Sequence, residues 1–169
     1  MKSRRFHEDY KIAPTSTRKL IAHSLKAYSS FFSRKKIEIA IVGDDKTVLT
    51  DEKWSGYIIS QFISNAVKYS PVSGSIQIKT IAKEDETILS IWNSGNGILE
   101  KDLEQIFQKG YTGSEHRTGL KATGYGLYLS KKISDMLGHR ITVHSVYNQY
   151  AEFCLHFTHN ETVYDVTKM

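Results

Sequence analysis

The stretch YIISQFISNAVKYS, residues 57–70, carries two separate helical faces. Ile58, Ile59, Phe62, Ile63, Ala66 and Val67 repeat at i, i+1, i+4, i+5, i+8 and i+9, which lays them on one stripe facing a sheet. Gln61, Asn65, Lys68 and Tyr69 fall on another face at i, i+4, i+7 and i+8. A helix that only covered a sheet could fill that face with any Glu and Lys. This one holds two amides, a cation and an aromatic ring in line. An amide oxygen is a hard ligand suited to Mg2+, and a neighbouring Lys can neutralise phosphate charge. Standing alone, the same face also reads as a solvated surface with incidental amides. The helix is expected over about 51 to 69, with Asp51 as its cap.

Working outward, residues 15–34 read as one helix capped by Thr15 or Ser16, with Leu20, Ile21, Leu25, Tyr28, Phe31 and Phe32 as its stripe. KIEIAIVG (36–43) alternates Ile37, Ile39 and Ile41 and reads as a strand, with a short return strand near 47–50. SIQIKTIA (75–82) and TILSIW (87–92) flank KEDE, the sign of an antiparallel hairpin. A short helix is expected at 101–107, and a further helix from about 125 to 137, ended by Gly138. RITVHSV and AEFCLHF form a last hairpin across YNQY. Pro14 and Pro71 are assigned to turns. This order gives an α+β fold, a two-layer α/β sandwich whose largely antiparallel sheet is covered on one face by about three helices.

Two more stretches carry chemistry. In IWNSGNGI (91–98), Asn93 closes a strand, and Gly95 and Gly97 let the backbone turn close to something flat or anionic. Asn, Ser and Gly are also ordinary turn residues. In TGYGLYLSKKI (123–133), Gly124 and Gly126 open a helix whose first N–H groups point at whatever lies before them, a ready phosphate site. Leu127, Leu129 and Ile133 anchor that helix. The loop before it, 108–124, is polar, too long for an ordinary connection, and contains Lys109, His116, Arg117 and Lys121.

Composition sets the outer bounds. The chain has 169 residues, 40% apolar and 24% charged, which favours one compact domain with a tail at about 159–169. No apolar run approaches the roughly 20 residues that span a bilayer. The net charge of +5 suits an anionic partner. The sequence has no interleaved aromatic-basic stripe, so nucleic acid is set aside as that partner. The basic cluster SRKK (33–36) is assigned to solvated surface. Cys154 is alone, which excludes an internal disulfide and fits a reducing compartment.

In this order the chain resembles the catalytic, ATP-binding domain of bacterial sensor histidine kinases, of the fold shared with gyrase, Hsp90 and MutL. QFISNAVKYSP looks like the family's N box, NSGNGI its first glycine box, IFQKGYTG its F-box region and TGYGLYLSKKI its second glycine box. DEKWSGYIISQFISNAVKYS and KGYTG…TGYGLYLSKKISDMLGH look closest to the short intramembrane-sensing kinases that answer cell-envelope antibiotics such as bacitracin. The likeness covers roughly residues 10 to 158. It implies that ATP and Mg2+ are the cofactors, with Asn65 the metal ligand, Gln61 beside the γ-phosphate and Lys68 on the phosphates. Tyr69 would pack by the nucleotide, Gly95 and Gly97 would shape the adenine pocket, and Phe107 would anchor the loop that follows. Ile98, Lys109, Tyr111, Thr112, Gly113, Lys121, Thr123, Gly124, Tyr125, Gly126 and Leu127 would complete the nucleotide site. The implied partners are the protein's own dimerisation and phosphoacceptor domain, a cognate response regulator and an antimicrobial-peptide ABC transporter. The resemblance makes the whole protein a homodimer with this domain on the cytoplasmic side of a bacterial membrane, and this piece alone a monomer.

Two departures stand out. The family carries Asp at the position of Asn93, where a carboxylate accepts from the adenine amino group; the amide still accepts, without charge assistance. Many members place Thr at the position of Ala151, whose hydroxyl helps a water read the base. Both changes imply weaker or less base-selective ATP binding. His7, in FHEDY, resembles a phosphoacceptor box but lies only 58 positions before Asn65, and it alternates with Phe6, Tyr10 and Ile12 as an edge strand would. Three other readings stay open. They are a degenerate module that binds ATP poorly and works by contact, another ATPase of the fold, and a basic nucleic-acid-binding domain with salt-dependent binding.

Overall fold

A computed structural model describes residues 10–111 and 125–159. Chain order is β1 (Ala13–Ser16), α1 (Thr17–Ala27), α2 (Ser29–Lys35), β2 (Glu38–Val42), β3 (Thr47–Thr50), α3 (Glu52–Tyr69), β4 (Ser75–Ala82), β5 (Glu86–Ser94), α4 (Glu100–Leu103), α5 (Gly126–Leu137), β6 (Arg140–Val146) and β7 (Tyr150–Thr158). The main sheet has the order β2-β4-β5-β7-β6. β2 runs parallel to β4 and every other neighbour is antiparallel.

The core is the contact between one sheet face and α3. Ile58, Ile59, Phe62, Ile63 and Val67 are fully buried, as are Ile76, Ile78, Leu89, Ile91 and Leu155 from the strands. Phe62 and Phe153 bring their rings to 5.2 Å. Leu20 and Ile21 of α1, Phe32 of α2 and Ile133 of α5 join the same cluster, so among the described residues α3 covers that face with contributions from three further helices. Strand alternation sends Ser90, Glu152, His156 and Trp92 to the other face, where Ser90 donates to Glu152 at 2.6 Å and Trp92 stacks on Tyr150.

Local chemistry sets the element ends. Asp51 caps α3, accepting from Trp54 N at 2.8 Å, and also accepts from Lys11 N at 2.6 Å. Gly138 ends α5 in the left-handed region at φ 74°. His139 follows, partly buried with its ring edge-on to Phe157 and bonded to Thr50 Oγ1 at 2.7 Å; desolvation holds its pKa down to about 4.

The structure corrects five sequence expectations. The helix expected over 15–34 is two helices, because the Ser29 hydroxyl takes the Lys26 carbonyl and breaks the ladder at Tyr28. Residues 47–50 are a strand, but they pair with β1 and not with β2. The cause is Asp45, whose carboxylate accepts from the Ser16 and Thr17 hydroxyls and Arg18 N and pulls the chain to the start of α1. Pro14 lies inside β1 and not in a turn, tolerated because that strand has a single partner. The helix expected at 101–107 is one turn at 100–103, followed by successive turns as far as Tyr111. Tyr10 and Ile12 precede the first strand; Phe6 and His7 lie outside the described residues.

Lys35, read from sequence as part of a solvated basic cluster, is the fifth. Its ammonium donates to the carbonyls of Val67 and Ser70, each at 2.8 Å, and to that of Lys68 at 3.4 Å. A cation there satisfies the orphan carbonyls at the negative end of α3, and its burial lowers its pKa.

Candidate functional site

The polar face of α3 is the spine of the site. Asn65 Nδ2 donates back to the Gln61 carbonyl at 3.0 Å, which turns its Oδ1 away from the helix. The Lys68 ammonium lies 5.2 Å from the Tyr69 ring centre, and burial lowers its pKa. A glycine approaches each end of this face. A Cβ built on Gly126, the first residue of α5, would lie 2.0 Å from Gln61 Oε1. One built on Gly95 would lie 2.4 Å from the Tyr69 carbonyl oxygen. Eight residues of helix separate Gln61 from Tyr69, about 12 Å. The two glycines therefore stand at the two ends of this helical face, with Asn65 and Lys68 between them.

The floor near Gly95 is set by register. Asn93 faces Ile76 on one side and Ala151 on the other, and Ala151 faces Ser145. Asn93 is 2% exposed; its Nδ2 donates to the Ser94 carbonyl at 3.0 Å, which turns Oδ1 the other way. Both departures noted in the sequence are thus neighbours in one cross-strand row.

Two residues that sequence reasoning missed join the site. Asp102 is buried and accepts from the Tyr111 hydroxyl. Burial, and then the Asp102 charge and Tyr111, raise the Tyr69 pKa, so these three groups lie near one another. Ser145 bonds the backbone of Ile98, which is itself buried. Nothing in the sequence marked either one: Asp102 sits among charged neighbours in the EKDL turn, and Ser145 is an ordinary strand residue. Phe107, Tyr111 and Leu127 pack on the core, and Tyr125 sits exposed before α5; the Tyr128 pKa is lowered first by its hydrogen bond with Lys132 and least by the charge of Lys109. Thr112, Gly113, His116, Arg117, Lys121, Thr123 and Gly124 lie outside the described residues. A groove of about 790 Å³ between β1, α1 and the first turns of α3 contains none of the sequence-predicted site residues.

Two amides and a cation along a sheet-covering helix, bracketed by glycine turns at both ends, belong to one known arrangement. Residues 50–161 match the family described as histidine kinase-, DNA gyrase B- and HSP90-like ATPases, and the chain belongs to that family. Within it, the similar curated proteins are sensor kinases. The sensor histidine kinase YxdK of Bacillus subtilis is 34% identical over 83% of this chain and 44% of its own length. The sensor protein BceS of the same organism is 39% identical over 82% of this chain and 41% of its own length. The sensor protein kinase GraS of Staphylococcus aureus is 40% identical over 60% of this chain and 29% of its length. The chain thus spans less than half the length of these relatives.

Among solved structures, the catalytic domain of histidine kinase ThkA superposes with a TM-score of 0.75 at 22% identity, covering 88% of this chain and 97% of that one. Full-length ShkA in complex with AMPPNP gives 0.74 at 25% identity, covering 88% of this chain and 31% of that one. The chain is an ATP-binding catalytic domain of the sensor histidine kinase type.

Proposed function

We propose that this domain holds Mg2+–ATP along α3 and offers the γ-phosphate to a histidine on a helical hairpin outside this chain. The observation that carries the reading is the pair of glycine approaches, Gly126 to Gln61 and Gly95 to Tyr69, with Asn65 and Lys68 between them. Asn65 suits the metal, since its Oδ1 is a hard donor and its own NH2 is engaged with the helix. When bound, Mg2+ would offset the phosphate charge. Lys68 adds a partly desolvated cation, and the first turn of α5 offers the phosphates N–H groups that a helix start leaves without partners inside the helix. Asn93 accepts from the adenine amino group. Transfer is then positioning and charge neutralisation, with no nucleophile from this domain.

In the same reading the whole protein is a dimeric membrane kinase that passes its phosphate to a response regulator and works beside an antimicrobial-peptide ABC transporter. Calorimetry with ATP and ADP, with and without Mg2+, tests the proposal. Wild type is expected to bind both nucleotides, and Asn65→Ala to lose the Mg2+-dependent part. Absence of binding by wild type overturns it. That result would favour the second reading, a domain that has lost nucleotide and works by contact, which the adjacency of Asn93 and Ala151 supports.

A further inference from the structure

The turn carrying Gly95 and Gly97 is bonded to the β6–β7 hairpin. Gly95 N donates to the Gln149 carbonyl at 3.2 Å, and Asn148 N donates to the Asn96 carbonyl at 2.7 Å. Ser145 joins the two segments from below. Its Oγ accepts from Ile98 N at 2.7 Å and donates to the Tyr150 carbonyl at 2.9 Å. The hydroxyl thus uses its proton and a lone pair at once. Gly97, at φ 69°, lies so close above it that a Cβ there would stand 2.8 Å from Ser145 Oγ, 2.7 Å from the Val146 carbonyl oxygen and 2.9 Å from that of Tyr150.

Register adds the second half. Ile76, Asn93, Ala151 and Ser145 are consecutive partners across β4, β5, β7 and β6, so Ser145 stands on the same sheet face as Asn93, two strands away. Strand spacing of about 4.8 Å puts the two side chains roughly 10 Å apart, one at each end of the floor. Ala151 between them offers only a methyl group.

We propose that Ser145 is a positioning residue for base recognition. Its hydroxyl sets the height and tilt of the Gly97–Ile98 backbone over the Asn93–Ala151 floor, without touching nucleotide itself. This inference rests on the nucleotide-binding reading of the site. Without the hydroxyl, the buried Ile98 N–H and the Tyr150 carbonyl both lose a partner, and the turn relaxes away from the floor. The phosphate-side groups on α3 and α5 lie at the other end of the site and keep their contacts.

The test compares wild type with Ser145→Ala and Ser145→Thr, measuring binding of ATP, ADP and GTP by calorimetry. Ser145→Ala is expected to weaken ATP and ADP by the same factor, about tenfold, and to narrow the preference for ATP over GTP. Ser145→Thr, which keeps the hydroxyl, is expected to restore both. A purely structural role would lower the melting temperature while leaving the ATP-to-GTP ratio alone. Should the alanine variant not fold, Ser145→Cys, with its weak acceptor, carries the same comparison. Unchanged base preference in the alanine variant, or a threonine variant that fails to restore it, overturns the proposal while the site reading stands. A wild type that binds no nucleotide overturns both.

Discussion

Replacing Asn93 with Asp should move stability and affinity in opposite directions. Asn93 is 2% exposed, and its Nδ2 donates to the Ser94 carbonyl at 3.0 Å. In Asn93→Asp an acceptor oxygen replaces that donor, so two oxygens face each other inside the protein. The empty domain loses a hydrogen bond of about 1 kcal/mol and leaves a polar group unpaired, a total of roughly 1–3 kcal/mol. For a domain of this size each kcal/mol moves Tm by about 2–4 °C, so the apo melting point should fall by roughly 2–12 °C. With adenine bound, the carboxylate instead accepts a charge-assisted bond. Such a bond is worth about 1.5–3 kcal/mol against about 1 for the neutral one, a gain near 1 kcal/mol or about fivefold in affinity. Burial raises the new carboxyl's pKa, so the gain should be largest at high pH and shrink as the group protonates. Calorimetry with ATP and thermal denaturation with and without it measure both arms. Equal or weaker ATP affinity in Asn93→Asp at pH 8 would refute the role given to this side chain.

The remaining expectations concern other parts of the same frame. Ala151→Thr should tighten ATP in its own right and couple to Asn93→Asp by roughly 0.5–3 kcal/mol in a double-mutant cycle, because the two are ladder partners. Gly126→Ala should leave stability equal or up to about 1 kcal/mol higher, since alanine favours helix, yet weaken Mg2+–ATP, because the new Cβ meets the movable end of Gln61 at 2.0 Å. Lys35→Met should cost roughly 1–3 kcal/mol in denaturant unfolding by stripping the carbonyls at the end of α3. His139 folds as a neutral ring with its pKa lowered from 6.5 to about 4. Stability from it is complete above pH 6.5 and is lost as pH falls toward 4, by at most about 3 kcal/mol; His139→Gln should flatten that part of the acid unfolding curve.

Much of this architecture is legible in the sequence because it rests on local pattern. The stripe Ile58–Val67 fixes α3 and its buried side, and Asp51 and Gly138 mark ends by capping chemistry that needs no tertiary information. Both hairpins follow from alternation and turn residues. What escaped were contacts between distant segments. Nothing in SRKK says which of its lysines reaches α3, and Lys35 is distinguished from Lys36 only because the chain turns left-handed after it. The partner of Thr47–Thr50 depends on Asp45 reaching across to Ser16, a choice invisible to periodicity. Ser145 is an ordinary polar residue in a strand until register places Ile98 above it.

The mixed direction of the main sheet has a consequence for assembly. β4–β5 and β6–β7 are closed by short turns, whereas β2 can lie beside β4 only after β3 and α3 have been laid down between them. Contacts close in sequence are cheap in loop entropy and form early; those across a crossover form late. During refolding, amide protons around Asn93 and Ser145 should therefore become protected before those of Ile39 and Ile41. The two hairpins that carry Asn93 and Ser145 would form first, and the β5–β7 join between them, with partners as distant in sequence as Asn93 and Ala151, would close among the late contacts.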